Sequence, residues 1–262
     1  MKSSVFLAAW LLPASVLAAA PPVEPQPVLF GAQSRVVVDA TGAIVSVERP
    51  TSLPAAVADA IEAKIRALHF EPARIDGRSV GGTTYVQMQA CAVPKGGNYA
   101  LVVKYRGNGP GMDKNPPPRF PYAAMRSNVV ASYSLQYDVQ SDGSVKLASL
   151  ERIQGGNRFA RDFEAELKAW VPQLHFLPEQ VDARTVPTRL QRTVEFRGGG
   201  GQTFSGPAAA QRAIQREQAQ AQAQRIASND ACQAALAGDA AAAERNVALN
   251  SPFKVKSVKS VE

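Results

Sequence analysis

One sequence segment, called the repeated phrase below, occurs twice in the chain, and each occurrence contains one of the chain's two histidines. The phrase occupies residues 68–80 and again residues 174–186, aligned without a gap, so that His69 recurs as His175. Imidazoles bind metals and titrate near neutral pH, which raises the hypotheses of a metal site and of a pH-sensitive contact shared by the two copies. Neither copy places another His or a Cys at ligand spacing. We therefore predict no metal and no cofactor, and a polar role for each histidine at the end of a helix.

Other reactive side chains are equally isolated. Asp76 and Arg78 recur as Asp182 and Arg184, and this spacing predicts a surface ion pair that stabilises a turn. The serines lack a Gly-x-Ser-x-Gly elbow, and the glycine run at 198–201 lacks the Lys-Ser/Thr of a phosphate loop. No enzyme signature remains, so we predict that the protein is not an enzyme.

The repeated phrase indicates that a longer unit of the chain has been duplicated, because chance does not produce such a match. Each of the two units is called a copy below. At 262 residues the chain is long enough for about two small domains. In the first copy, β-branched runs at 35–39 and 43–47 flank a turn that ends at Gly42 and predict a hairpin. Residues 54–68 have the apolar spacing of a helix, and residues 80–90 are typical of a returning strand.

The second copy repeats this order. Runs at 133–139 and 145–153 flank Ser141-Asp-Gly143 and predict a hairpin. A helix is expected over about 157–170, and residues 186–196 close the sheet. The predicted fold class is α+β, with two β-β-α-β domains, each a small antiparallel sheet with a packed helix, plus a C-terminal helical segment.

Composition divides the chain further. Residues 1–20 have a lone Lys2, a short apolar run and small residues at the end, which predicts a cleaved signal peptide. An uncleaved anchor is the alternative, although the run is far shorter than the ~20 residues of a spanning helix. Residues 99–105 read as an extra strand that could pair with the first sheet. The predicted divisions are a signal peptide at 1–20, a first domain at 21–106, a Gly/Pro-rich linker at 107–118, a second domain at 119–197, and a Gly-rich break with an Ala/Gln-rich helical tail at 198–262.

An exported protein meets an oxidising compartment, where Cys91 and Cys232 could form a disulfide. Two buried free thiols are the alternative, since sequence does not reveal whether the sulfurs meet. The net charge of +7 is dispersed along the chain. No basic run is interleaved with aromatic residues, so we expect no nucleic-acid partner.

Three segments together resemble the C-terminal domain of TonB proteins, the energy transducer family: Pro116–Ala124, Tyr137–Val145 and Trp170–Pro178. That family's pattern is a proline-rich entry with an aromatic-Pro pair, an Asp-Gly hairpin, a helix and an aromatic-x-Pro strand. The first copy matches less fully, because it shares the segment His69–Arg74 but lacks the aromatic-Pro entry. Packing of Phe120 against the sheet is expected.

The resemblance implies a periplasmic module that docks an extended peptide beside its last strand through backbone pairing. The strands concerned would be 80–90 and 186–196. The implied partner-binding residues are Val80, Thr84, Val86, Val186, Thr188, Leu190, Arg192, Val194 and Phe196.

Transducers of this family are similar in their domain but carry a histidine in an uncleaved N-terminal helix and a long proline-rich spacer. This chain has no histidine before His69 and no such spacer. We therefore predict a periplasmic envelope protein of a Gram-negative bacterium, without a stable membrane span, that binds periplasmic or outer-membrane proteins or peptides by strand addition. A membrane-anchored energy transducer for outer-membrane transport is the alternative, and an exported enzyme with a site between the domains is the least favoured.

Overall fold

The computed structural model describes residues 26–127, 129–197, 232 and 246–258. The fold is mixed and strand-rich, with several small antiparallel sheets and few helices, which agrees with the α+β class. The predicted signal peptide and most of the predicted helical tail lie outside the described residues. Within the described part, no helix has the length and apolarity needed to cross a membrane.

The first copy runs from β1 to β6, and two further strands lead from it toward the second copy. The elements of this part, in chain order, are β1 (Val28–Val38), β2 (Ile44–Val47), α1 (Ala55–Arg66), β3 (Leu68–Glu71), β4 (Ala73–Ile75), β5 (Arg78–Val80), β6 (Gly82–Lys95), β7 (Asn98–Gly109) and β8 (Gly111–Lys114).

The second copy repeats the order of the first, after one short helix. Its elements are α2 (Tyr122–Arg126), β9 (Ala131–Val139), β10 (Val145–Gly155), α3 (Ala160–Trp170), β11 (His175–Leu177), β12 (Glu179–Val181), β13 (Arg184–Val186) and β14 (Thr188–Phe196). Two further strands are C-terminal, β15 (Val247–Ala248) and β16 (Lys254–Val258). Three short strands lie between α1 and β6, and three more lie between α3 and β14. The sequence pattern does not separate them.

Each predicted hairpin turn packs on the repeated phrase through the same contact. The Phe70 N–H donates to the Gly42 carbonyl at 3.0 Å, and the Phe176 N–H donates to the Gly143 carbonyl at 3.0 Å. Both glycines have positive φ, 89° and 85°, and a Cβ on either would overlap the carbonyl oxygen of the same phenylalanine. Glycine is therefore required at both turns.

Each copy has its own apolar core under its helix. As the spacing predicts, α1 buries Val57, Ile61 and Ile65, while α3 buries Phe163 and Leu167. These side chains pack on the inner faces of two different sheets. Burial of such large apolar side chains is the main stabilising term for domains of this size.

The two copies are joined because two strands of the second copy enter the sheet of the first. The first sheet has the order β13-β12-β6-β1-β2, with β7 also pairing with β6, and the second sheet has the order β10-β9-β14-β15. Strand β12 comes from the second copy of the phrase, yet Gln180 and Val181 pair with Thr83 and Gly82 of the first copy. A Cβ at Gly82 would overlap the Gln180 carbonyl oxygen, so this crossing depends on a glycine.

Two of the predicted divisions are corrected. The linker at 107–118 contains the end of β7 and all of β8, which pairs with β11. Part of the predicted helical tail is extended, because β15 pairs with β14 and β16 pairs with β3. In both cases an available edge offers backbone donors and acceptors, and this long-range pairing outweighs the local composition.

Cys91 of β6 forms a disulfide with Cys232, and their Cα atoms are 5.5 Å apart. Both residues are buried against Leu29 and Val93. The bond closes a loop with a sequence separation of 141, which restricts the unfolded chain.

The repeated Asp residues shape turns, and the predicted ion pairs with Arg78 and Arg184 do not form among the described residues. Asp76 and Asp182 have φ values of 50° and 49°. The next residue is Gly77 in the first copy, with φ 77°, but Ala183 in the second, with φ 61°. A Cβ disfavours this conformation, so the second turn is strained where the first is relaxed.

We expect Ala183→Gly to stabilise the protein by about 1 kcal/mol, because glycine relieves the left-handed strain. The matched change Gly77→Ala should destabilise by a similar amount, since a Cβ there meets no atom within 4 Å and only the backbone conformation opposes it. Equilibrium urea unfolding measures both free energies. Shifts of the same sign for the two variants would contradict this account of the turns.

Candidate functional site

The predicted partner-binding residues of the first copy do not lie on a free edge. Val80 belongs to the short hairpin of β4 and β5, while Thr84 and Val86 lie on β6 and are buried. Strand β6 pairs with β1 on one side, and with β7 and β12 on the other. The expectation of an open edge in the first copy is wrong, because the strand predicted at 99–105 pairs with β6 and occupies that edge.

The last strand of the second copy is covered on one side only. Strand β9 pairs with β14 along its whole length, from Thr188 to Phe196, without a break in register. On the opposite side, β15 pairs only with Leu190 and Gln191. No other described strand pairs with the segment 193–196 on this side. Its backbone groups therefore form a candidate site for an added strand.

The alternation of β14 identifies which backbone groups face this edge. Arg189 faces it, because its carbonyl accepts from the Leu249 N–H at 2.8 Å and its N–H donates to Asn250 Oδ1 at 2.6 Å. In an antiparallel strand every second residue points its N–H and C=O to the same side. Thr193 and Glu195 therefore present their backbone groups to the open edge.

The partner-binding residues that the sequence predicts on β14 alternate with Thr193 and Glu195, so their backbone groups point away from the open edge. The side chains of Thr188, Leu190, Val194 and Phe196 are buried, and their backbone groups face β9. Val186 lies outside the strand, in the β13 hairpin. The apolar alternation located the strand but selected its core-facing residues, because apolar side chains report burial and not the direction of the backbone hydrogen bonds.

A groove of about 390 Å³ runs beside the open edge. One wall is the end of β14 with the residue that follows it, residues 192–197, and the other is the proline-rich segment of Asn115, Pro117, Pro118 and Phe120. The ring of Phe120 packs edge-on against Phe163 and Phe196, with centroids 5.5 and 5.4 Å away. The expectation that Phe120 packs on the sheet is confirmed. The prolines have no N–H to offer, so this wall cannot close the edge by pairing along its length.

Arg192 connects the two walls of the groove. Its Nη1 donates to Asn115 Oδ1 at 2.8 Å, and its guanidinium lies 5.2 Å above the ring of Trp170. Trp170 in turn donates its Nε1–H to the Pro116 carbonyl at 2.6 Å. The Nε of Arg192 is buried without a hydrogen-bond partner among the described residues. Arg192 therefore ties strand β14 to the proline-rich wall of the groove.

Tyr137 and Asn246 hold the C-terminal segment against the same sheet. The Tyr137 hydroxyl donates to Asn246 Oδ1, and both residues are buried. Burial raises the pKa of Tyr137 to about 12, so the phenol remains a neutral donor. This contact positions Asn246, which directly precedes β15.

The repeated histidines lie on β3 and β11, the short strands that follow the two helices. His175 Nδ1 lies 2.9 Å from Asp113 Oδ2 on β8. Among the described residues, no group of three or more His, Cys, Asp or Glu side chains is arranged to hold a metal ion.

A buried polar cluster places β14 relative to the first copy. Glu179 is fully buried; its Oε1 accepts from the Thr84 hydroxyl at 2.6 Å and the Ser251 hydroxyl at 2.8 Å, and its Oε2 accepts from the Thr188 hydroxyl at 3.0 Å. Asn108 of β7 adds a bond from Nδ2 to the Ser251 hydroxyl at 3.1 Å. The cluster joins both copies, the connecting strand β7 and the C-terminal segment. No residue pattern in the sequence indicated it.

Comparisons of the chain with protein-family models, with curated proteins and with solved structures found no match.

Burial raises the pKa of the Glu179 carboxyl above its ordinary value of 4.5, against the lowering effect of the three hydroxyl donors. A raised folded-state pKa means that the contribution of this group to stability is complete below the unfolded value and is lost as pH rises through the folded value. We expect Glu179→Gln to remove this loss, so the variant should gain stability relative to the native protein as pH rises above 4.5. Urea unfolding across a pH series measures the difference.

The control is Glu151→Gln, which removes an exposed carboxylate outside the buried cluster. If Glu179→Gln differs from the native protein by a constant amount across the pH series, the pKa of Glu179 is not raised by folding.

Proposed function

We propose that this protein is a non-enzymatic binding module that takes an extended segment of a partner protein as an added strand at the β14 edge. The observation that carries the proposal is the position of Thr193 and Glu195. Their backbone groups face a stretch of the β14 edge that no described strand occupies, beside a groove with an apolar wall. Strand addition uses such groups for affinity and adjacent pockets for specificity.

Support comes from the chain's own use of this mode of pairing. Strand β15 adds to β14, β8 adds to β11, and β16 adds to β3. Each added strand is short and comes from outside the copy that it extends. The edges of this scaffold therefore accept extended segments of varied sequence, because pairing depends on backbone groups.

The groove suggests what a partner strand would contact. Side chains on one face of the strand would lie against Pro117, Pro118 and Phe120, which favours apolar residues at alternate positions. A partner would pair with β14 beyond the stretch that β15 covers.

The proposal includes the organisation and location inferred from the sequence. The two copies are proposed to be β-β-α-β domains similar to the TonB C-terminal domain, the second of which carries the site. The protein is proposed to act in the periplasm of a Gram-negative envelope, on periplasmic or outer-membrane proteins. The disulfide between Cys91 and Cys232 supports an oxidising compartment.

The test uses peptides selected on the immobilised protein from a random displayed library. We expect Thr193→Pro to weaken a selected peptide by at least about tenfold, because proline removes an edge-facing N–H while leaving the bonds to β9. Thr193→Ala is the matched control and should retain binding, since it keeps the backbone donor. Isothermal titration calorimetry measures both affinities.

Hydrogen exchange gives a second readout on the native protein. The amides of Thr193 and Glu195 should exchange quickly in the free protein and become protected on peptide binding, whereas those of Arg192 and Val194 should be protected in both states. Protection that appears elsewhere, or equal affinities for the two Thr193 variants, would contradict strand addition at this edge.

A further inference from the structure

The two repeated histidines have neighbours of opposite charge, although each copy of the repeated phrase pairs with an added strand in the same way. Strand β8 pairs Met112 with Phe176 and Lys114 with His175, which leaves Asp113 as the residue at the irregularity between them. Asp113 is the residue whose carboxylate lies 2.9 Å from His175. Strand β8 thus supplies a carboxylate to the histidine of the second copy.

Strand β16 has the same irregularity opposite the first copy. Val255 pairs with Phe70 and Ser257 pairs with His69, which leaves Lys256 as the residue between them. Lys256 therefore occupies the position of Asp113, with the opposite charge. In the first copy the carboxylate is missing and a cation stands in its place.

The histidine of the first copy borders a cavity of about 520 Å³. Arg74, Lys254 and Lys256 line it, are exposed, and form no ion pair with any described residue. Glu71 is the one carboxylate among the lining residues. Positive charge is therefore in excess at this cavity, in a position to attract an anion.

We propose that this cavity binds the carboxylate of an acidic peptide segment, which takes the place that Asp113 takes in the second copy. The inference goes beyond the proposed function, because it involves neither the β14 edge nor its groove. A carboxylate is favoured over a phosphate because the equivalent histidine of this chain already holds one. A peptide is favoured because the cavity borders β3 and β16, two extended strands, and Pro252 adds an apolar residue to its lining.

The probe is a fluorescein-labelled, C-amidated hexapeptide of alternating Asp and Glu, followed by fluorescence anisotropy with the full chain. We expect the double variant Lys254→Gln with Lys256→Gln to weaken binding about tenfold. The matched pair Lys95→Gln with Lys146→Gln removes the same charge elsewhere and should change the affinity by less than about twofold. Equal weakening by the two pairs would overturn the proposal, since it would indicate a dispersed charge effect.

A second variant gives β16 the residue type that β8 has at the equivalent position. Lys256→Asp would give His69 an internal carboxylate and should abolish peptide binding. Retention of binding by this variant would overturn the proposal.

The native protein provides a readout that does not depend on any variant. Addition of the peptide should shift the ring signals of His69 and leave those of His175 unchanged in NMR spectra. Shifts at His175 alone, or at neither ring, would overturn the proposal. Stronger competition by inorganic phosphate, or by vesicles of anionic phosphatidylglycerol, than by the unlabelled peptide would also overturn it and would point to a phosphate or lipid ligand.

Discussion

The buried carboxylate of Glu179 holds together parts of the chain that are distant in sequence. It accepts hydrogen bonds from Thr84 of the first copy, Thr188 of the second and Ser251 of the C-terminal segment. The first copy has Ala73 at the equivalent position, so the duplication alone does not account for this contact. A buried carboxylate is costly unless its oxygens are satisfied. The entry of β12 into the first sheet and the attachment of the C-terminal segment therefore depend on one another.

The two copies share their local structure and differ in their partners. Both fasten a hairpin glycine to the phenylalanine of the repeated phrase, and both place an Asp at positive φ after the next short strand. The strands that complete them come from different places, since β8 extends one phrase and β16 extends the other. The copies thus differ in what is added to each last strand: among the described residues β6 is paired on both sides, whereas residues 193–196 of β14 are paired on one side only.

Much of the fold was predictable, and less of the site. The hairpins at Gly42 and Gly143 and the apolar faces of both helices follow from turn chemistry and spacing within short segments. The strand ending at Phe196 was also recognised, but its apolar alternation pointed to the core-facing residues and away from Thr193 and Glu195. The composition of Asn115–Phe120 predicts only a linker and an entry segment. The place of this segment beside β14 depends on contacts with Arg192 and Trp170 that no local pattern records.

The sequence by itself determined the duplication, the turns, the helices and the positions of the long strands, because these depend on side chains a few residues apart. Only the tertiary structure decided that β7 covers β6, that β12 crosses into the first sheet and that part of β14 remains open. The physical reason is that strand pairing uses backbone N–H and C=O groups, which are the same in nearly every residue. Any extended segment can satisfy an edge, so the choice of segment is made by chain geometry and by a few specific contacts, such as those of Glu179 and Gly82.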